Sequence, residues 1–311
     1  MAKRFLLGVD DSQETFEALE KLGGLFLKTE AHFHLFHAVT ESHLPARPPT
    51  STETGDWQDV RKRQAQQILD KAVSALLQMG YKRARISTET RLESANAAQE
   101  ILDAAKSEEI TAIVFARKQP AGLKRLLSDA TTTNIYKYAK VTPLWAIGNL
   151  PLQPPHILAA VDESDYAERI AVHLAQTLGA LPQVRVDFFN VIPAKPPAYW
   201  DDGHILDKAE RGERQGVVKK WQWGYEEIMG GIFAKARGVL TKAGVAEERI
   251  STKMQTRRSG TARDILAELD RGGYNILALA RHGSGSSQVD LGSRAAKILR
   301  SVRDCTIILV N

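Results

Sequence analysis

Phe5-Leu6-Leu7-Gly8-Val9-Asp10-Asp11-Ser12 is an apolar run of strand length that stops on carboxylates. It recurs as Ile157-Leu158-Ala159-Ala160-Val161-Asp162-Glu163-Ser164, at an offset of 152 residues (161 minus 9). Each copy ends with a second echo. Ile113-Val114-Phe115-Ala116-Arg117-Lys118 is matched by Ile276-Leu277-Ala278-Leu279-Ala280-Arg281-His282. Repeats this far apart in 311 residues predict two tandem domains, 1–150 and 151–311, each long enough for its own core. Pro151, Pro154 and Pro155 mark the junction.

Working outward, the first repeat has strand-length apolar runs at 5–9, 33–39, 86–90, 110–115 and 143–147. Helical spacing fills the gaps at 16–27, 65–79, 97–105 and about 129–138. The second repeat restarts the pattern, with strands expected at 157–161, 184–192, 249–255, 276–280 and 306–310. Its helices are expected at 166–178, 225–243, 261–269 and 293–300. Such alternation predicts an α/β fold of two Rossmann-like domains, each a five-stranded parallel sheet with helices on both faces, for which the order 3-2-1-4-5 is taken. Pro193–Gly224 is the exception. It reads as a long insertion carrying Trp200, Trp221 and Trp223, which either packs back on its domain or offers a partner surface.

Charge narrows the function. The net charge is +5, but residues 1–150 hold 20 Lys+Arg against 18 Asp+Glu, and residues 151–311 hold 22 against 19. An excess spread this thinly forms no phosphate-tracking stripe, so no nucleic-acid partner is expected. No apolar run approaches the roughly 20 residues of a membrane span, and no membrane partner is expected. The short run after Lys3-Arg4 stops at Asp10-Asp11 and reads as a strand rather than a leader. The single cysteine, Cys305, forms no internal disulfide and fits a reducing cytoplasm. His32, His34 and His37 do not share one strand face, which argues against a metal site. No nucleophile with a paired base is evident, so no catalytic residue is assigned.

In a doubly wound sheet the ligand crevice opens beyond the carboxyl ends of the strands, where the strand order reverses. Order 3-2-1-4-5 puts that crevice between the first and fourth strands, where Asp10 and Ala116 converge in one repeat and Asp162 and Ala280 in the other. The two aspartates read equally well as ligand contacts or as helix-capping residues working with Ser12 and Ser164.

The strand-end aspartate, the element order and the loop after the fourth strand resemble the universal stress protein family. That family's phosphate loop reads G-x2-G-x9-G-[S/T]. The resemblance spans nearly the whole chain as two domains of the adenine nucleotide alpha hydrolase-like type. Its matching positions in the second repeat are Ala280, Gly283, Gly292 and Ser293, with Cys305–Val310 as the last strand. The loop departs from the family by Ala280 in place of glycine and by eight residues, 284–291, in place of nine. In the first repeat the same positions hold Ala116, Gln119, Asp129 and Ala130. Asp129 would set a carboxylate where a phosphate needs a helix N-terminus, so this loop reads as degenerate.

The resemblance implies a regulatory stress-response protein that binds an adenine nucleotide such as ATP, with Mg2+ accompanying it, in the second repeat alone. Slow hydrolysis is compatible with that role. Asp162 would contact the adenosine end, Val191 would line the base pocket, and Ala280, His282, Gly283, Gly292 and Ser293 would surround the phosphates. The two repeats would pair within the chain, and a homodimer is compatible with the family pattern. The alternative is a scaffold that binds no nucleotide and recruits a protein partner through residues 193–224.

Overall fold

The computed structural model describes residues 3–40, 54–94, 96–107, 109–117, 134–136, 138–196, 208–282 and 291–311. Two compact units divide the chain. Residues 1–154 with 303–311 form one, and residues 155–302 form the other.

In the first unit, β1 (Arg4–Gly8), β2 (His32–Thr40), β3 (Ile86–Ser94), β4 (Ala112–Ala116) and β5 (Leu144–Ile147) lie in the order β3-β2-β1-β4-β5. All four pairings are parallel, as the strand–helix alternation requires. The helices α1 (Gln13–Phe26), α2 (Thr54–Gln78) and α3 (Ala97–Ser107) connect them. Both faces of β1 are buried, which explains its unbroken apolar sequence. Phe5 packs at 4.7 Å from Phe26 and 5.6 Å from Trp145, ring centre to ring centre, at the middle of this core.

In the second unit, β6 (His156–Ala160), β7 (Arg185–Ile192), β8 (Ile250–Thr256) and β9 (Ile276–Ala280) repeat the order as β8-β7-β6-β9, again parallel. Its helices are α4 (Tyr166–Thr177), α5 (Lys208–Lys242), α6 (Thr261–Gly272) and α7 (Ser293–Ser301).

The chain's last strand, β10 (Thr306–Val310), clusters with the first unit and runs antiparallel to β5, pairing Ile307 with Ala146 and Leu309 with Leu144. Gly148 makes this junction tight: a Cβ there would stand 2.1 Å from the Asp304 carbonyl oxygen. One helix differs from the sequence reading, α5. It begins at Lys208, not near Tyr225, so most of the expected insertion is helix and Trp221 and Trp223 lie on it. Glycines at 212, 216 and 224 hid it, because each disfavours helix by about 1 kcal/mol relative to alanine. Trp200 and the first-repeat loop residues Gln119, Asp129 and Ala130 lie outside the described residues.

Candidate functional site

The two strand-end aspartates do different local work. Asp10 Oδ1 accepts the Ser12 amide at 3.1 Å and the hydroxyls of Ser12 and Thr15. Ser12 caps α1, its hydroxyl oxygen accepting the Thr15 amide at 3.4 Å. The capping reading therefore holds in the first repeat. In the second, Asp162 Oδ1 accepts the Ser164 amide at 3.1 Å and the Ser164 hydroxyl, but α4 starts later. Asp165 stands at its cap position without a side-chain cap bond. Asp162 thus shapes a turn at the mouth of the crevice instead of finishing a helix.

β9 delivers the other wall. Ala280 ends the strand, Arg281 is 1% exposed, and His282 is 6% exposed with its Nδ1 buried and without a hydrogen-bond partner. Burial, and next the Arg281 charge, hold the His282 pKa below its usual value. The Gly292 amide donates to the Arg281 carbonyl at 3.0 Å, tying both ends of the intervening loop together. Gly292 is the cap residue of α7, and the first helical bond runs from the Ala296 amide to the Gly292 carbonyl at 2.9 Å. The Gly292 N–H is spent on Arg281, which leaves the first-turn amides of Ser293, Arg294 and Ala295 as the helix N-terminal donors.

These walls line a cavity of about 270 Å³, just below the roughly 300–1,000 Å³ typical of small-molecule sites. Asp162, Ala280, His282, Gly292 and Ser293 all line it. Arg281 is also among the lining residues. Val191 is buried on β7 and is not among the lining residues, and Gly283 lies outside the described residues.

Sequence reasoning missed Tyr166, Thr261, Ile265 and Arg294, which also line the cavity. Tyr166 and Thr261 could have been found, since each opens a helix that starts beside the crevice. Also missed was a polar chain beside Asp162. Asn190 Nδ2 donates to the Val161 carbonyl at 2.9 Å and to the Tyr225 hydroxyl at 3.3 Å, and Tyr225 donates to Glu163 at 2.8 Å. In the first repeat His37 takes the Asn190 place, its Nδ1 lying 2.6 Å from the Val9 carbonyl.

His34 meets the Ser87 hydroxyl at 2.8 Å and Glu89 at 3.1 Å, a serine–imidazole–carboxylate chain. The matched place in the second unit is Ser251 bonded to Asp187 at 2.7 Å, with no imidazole between them. The recurring element is a tie between strands two and three, not a nucleophile with its base. Among the described residues no cluster of three His, Cys, Asp or Glu could hold a metal ion. Among them, too, no helix is long and apolar enough to cross a membrane.

The Universal stress protein family profile matches the chain twice, at residues 1–147 and 155–310. The chain belongs to the universal stress protein family. A universal stress protein from Archaeoglobus fulgidus DSM 4304 superposes with a TM-score of 0.62 at 17% identity, covering 99% of this chain and 96% of that one. A putative universal stress protein from Pseudomonas aeruginosa UCBPP-PA14 gives 0.60 at 14% identity, covering 99% and 93%. A shorter universal stress protein from Archaeoglobus fulgidus, solved in complex with dAMP, covers 46% of this chain and 94% of its own at 15% identity and a TM-score of 0.32. Among curated proteins no relative matches.

Proposed function

We propose that this universal stress protein is a regulatory nucleotide binder whose second repeat, residues 151–311, holds an adenine nucleotide, while the first repeat, residues 1–150, is structural. One observation carries the reading. Asp162, singled out by the repeat, and Ala280, Gly292 and Ser293, singled out by the family resemblance, line a single cavity. The chemistry fits a phosphate. Three first-turn amides and the Ser293 hydroxyl supply donors, the helix N-terminus supplies partial positive charge, and Gly292 leaves room for the backbone to approach.

ATP is the expected cofactor. Mg2+ would be held chiefly by the phosphates, because the described residues supply no ligand cluster of their own. The cytoplasm is the expected location.

Titration calorimetry of the full chain with ATP, ADP and AMP tests this, run beside Gly292→Asp. A Cβ at Gly292 would already stand 3.1 Å from the Arg281 carbonyl, and the added carboxylate would face the phosphate. The wild type is expected to bind saturably and the variant to lose at least about tenfold in affinity, the equivalent of 1.4 kcal/mol. Absence of saturable binding by the wild type, or equal affinity in both chains, refutes the reading.

A further inference from the structure

In the first repeat the strand-end turn is locked to the helix that follows it. Ser12 caps α1, and the Thr15 hydroxyl on that helix donates to Asp10 Oδ1. At the same offset of 152 residues Ala167 stands for Thr15, so α4 has no such hydroxyl to give Asp162. The second repeat ties its turn to a different helix. Asn190 on β7 donates through Nδ2 to the Val161 carbonyl and to the Tyr225 hydroxyl, and Tyr225 on α5 donates to Glu163. Val161 and Glu163 are the two neighbours of Asp162 in the chain, so the turn is held on both sides of the residue that lines the cavity.

The matched contact of the first repeat is of another kind. Asp11, the counterpart of Glu163, meets Lys71 of α2 at 2.9 Å, with both side chains more than half exposed. Such a pair is screened by water and fixes little. Tyr225 and Asn190 are 8% and 2% exposed, and a buried hydroxyl that donates to a carboxylate makes a charge-assisted bond of defined geometry. Burial, and next the Glu163 bond and charge against the opposing Asn190 bond, raise the Tyr225 pKa, so the phenol keeps the proton it donates.

We propose that Tyr225 is a positioning residue: with Asn190 it sets the place of Asp162 in the cavity wall, and it couples occupancy of the cavity to helix α5. A ligand that engages Asp162 pulls on a segment bonded to α5 through the next residue. The pull reaches a built-in reporter, because Trp221 stands one helical turn before Tyr225 with ring centres 5.5 Å apart. The coupling rests on the nucleotide reading of the cavity, whereas the positioning does not.

Two measurements on the full chain separate these claims. Without nucleotide, hydrogen exchange reads the Ser164 amide, which is held by Asp162 Oδ1. Its exchange should quicken at least about tenfold in Tyr225→Phe and in Glu163→Ala, and stay near wild type in Glu163→Gln, which keeps an acceptor for the phenol. Exchange along Ile157–Ala160 should not change in any of the three, which sets positioning apart from general loosening of the fold. With ATP, calorimetry should show Tyr225→Phe binding at least about fivefold more weakly. ATP should also change the tryptophan emission of the wild type, and the change should vanish in Trp221→Phe and in Tyr225→Phe saturated with ATP.

Unaltered Ser164 exchange in Tyr225→Phe overturns the positioning role. Wild-type affinity in Tyr225→Phe, or an emission change that persists in Trp221→Phe, overturns the coupling. Absence of ATP binding by the wild type sinks the nucleotide reading and the coupling together, and Ser164 exchange alone then decides the positioning.

Discussion

His173 lies on α4 with 5% of its surface exposed, and burial pushes its pKa from 6.5 down to about 4. A folded-state value below the unfolded one means that protonation favours the unfolded chain. The stability tied to a neutral His173 is therefore present above pH 6.5 and is lost as the pH falls towards 4, a span worth about 3 kcal/mol. Urea unfolding at pH 7 and pH 4.5 should show this decline, and His173→Leu should flatten it. An unchanged slope in the variant would place the acid sensitivity elsewhere. His282 acts in the same direction, lowered by burial and next by Arg281. At this scale the sequence was informative wherever chemistry and spacing coincide. Asp162, Ala280, Gly292 and Ser293 are short-range markers of strand ends and a helix start, and they converge on the cavity. Val191, taken from the resemblance, does not, and no other residue of β7 lines the cavity. The use of the Gly292 amide by Arg281 could not be read at all, since loop closure leaves no trace in residue type.

Elements were legible where their periodicity was strong and obscured where glycine interrupted it. The strand–helix alternation of the first unit was legible, and its order β3-β2-β1-β4-β5 is the one taken for such a sheet. The start of α5 was not legible, because six glycines weaken a helix that packing on β7 and α4 sustains. This gives a prediction with a sign. Gly230 is exposed on α5, and a Cβ there would meet nothing within 4 Å. Gly230→Ala should thus stabilise the chain by about 0.5–1 kcal/mol, visible as a raised Tm. A fall in Tm would mean that the position is packed in solution. The opposite holds at Gly148, between β5 and the segment before β10. Its amide donates to the Thr306 hydroxyl at 3.0 Å, its carbonyl accepts from Lys21 at 2.9 Å, and a Cβ would stand 2.1 Å from the Asp304 carbonyl oxygen. Gly148→Ala should cost about 2–3 kcal/mol by forcing backbone apart, and denaturant midpoints would register it.

For the whole molecule, the sequence repeat and the compact units do not coincide. The family profile runs to residue 310 in its second match, yet residues 303–311 cluster with residues 1–154. The apolar run Thr306-Ile307-Ile308-Leu309-Val310 by itself says only that this strand is buried, because a fully buried strand has the same apolar sequence whichever edge it joins. The physical reason is visible in what β10 supplies. β5 gains an antiparallel partner, and the buried Arg117 guanidinium donates to the Cys305 carbonyl at 2.9 Å. That bond lowers the cost of holding a charge that burial disfavours, burial being also what lowers the Arg117 pKa. A chain truncated after Val302 should lose amide protection along Leu144–Ile147 and leave Arg117 without that acceptor. Hydrogen exchange of the full-length and truncated chains compares the two directly. The exchange rates of β5 should rise by at least about tenfold, the equivalent of 1.4 kcal/mol of local opening free energy. Tyr136, whose pKa burial raises while Arg117 opposes the rise, reports the same loss through its phenol absorbance on alkaline titration. If β5 kept its protection without residues 303–311, the last strand would be an accessory of the first unit instead of part of its core.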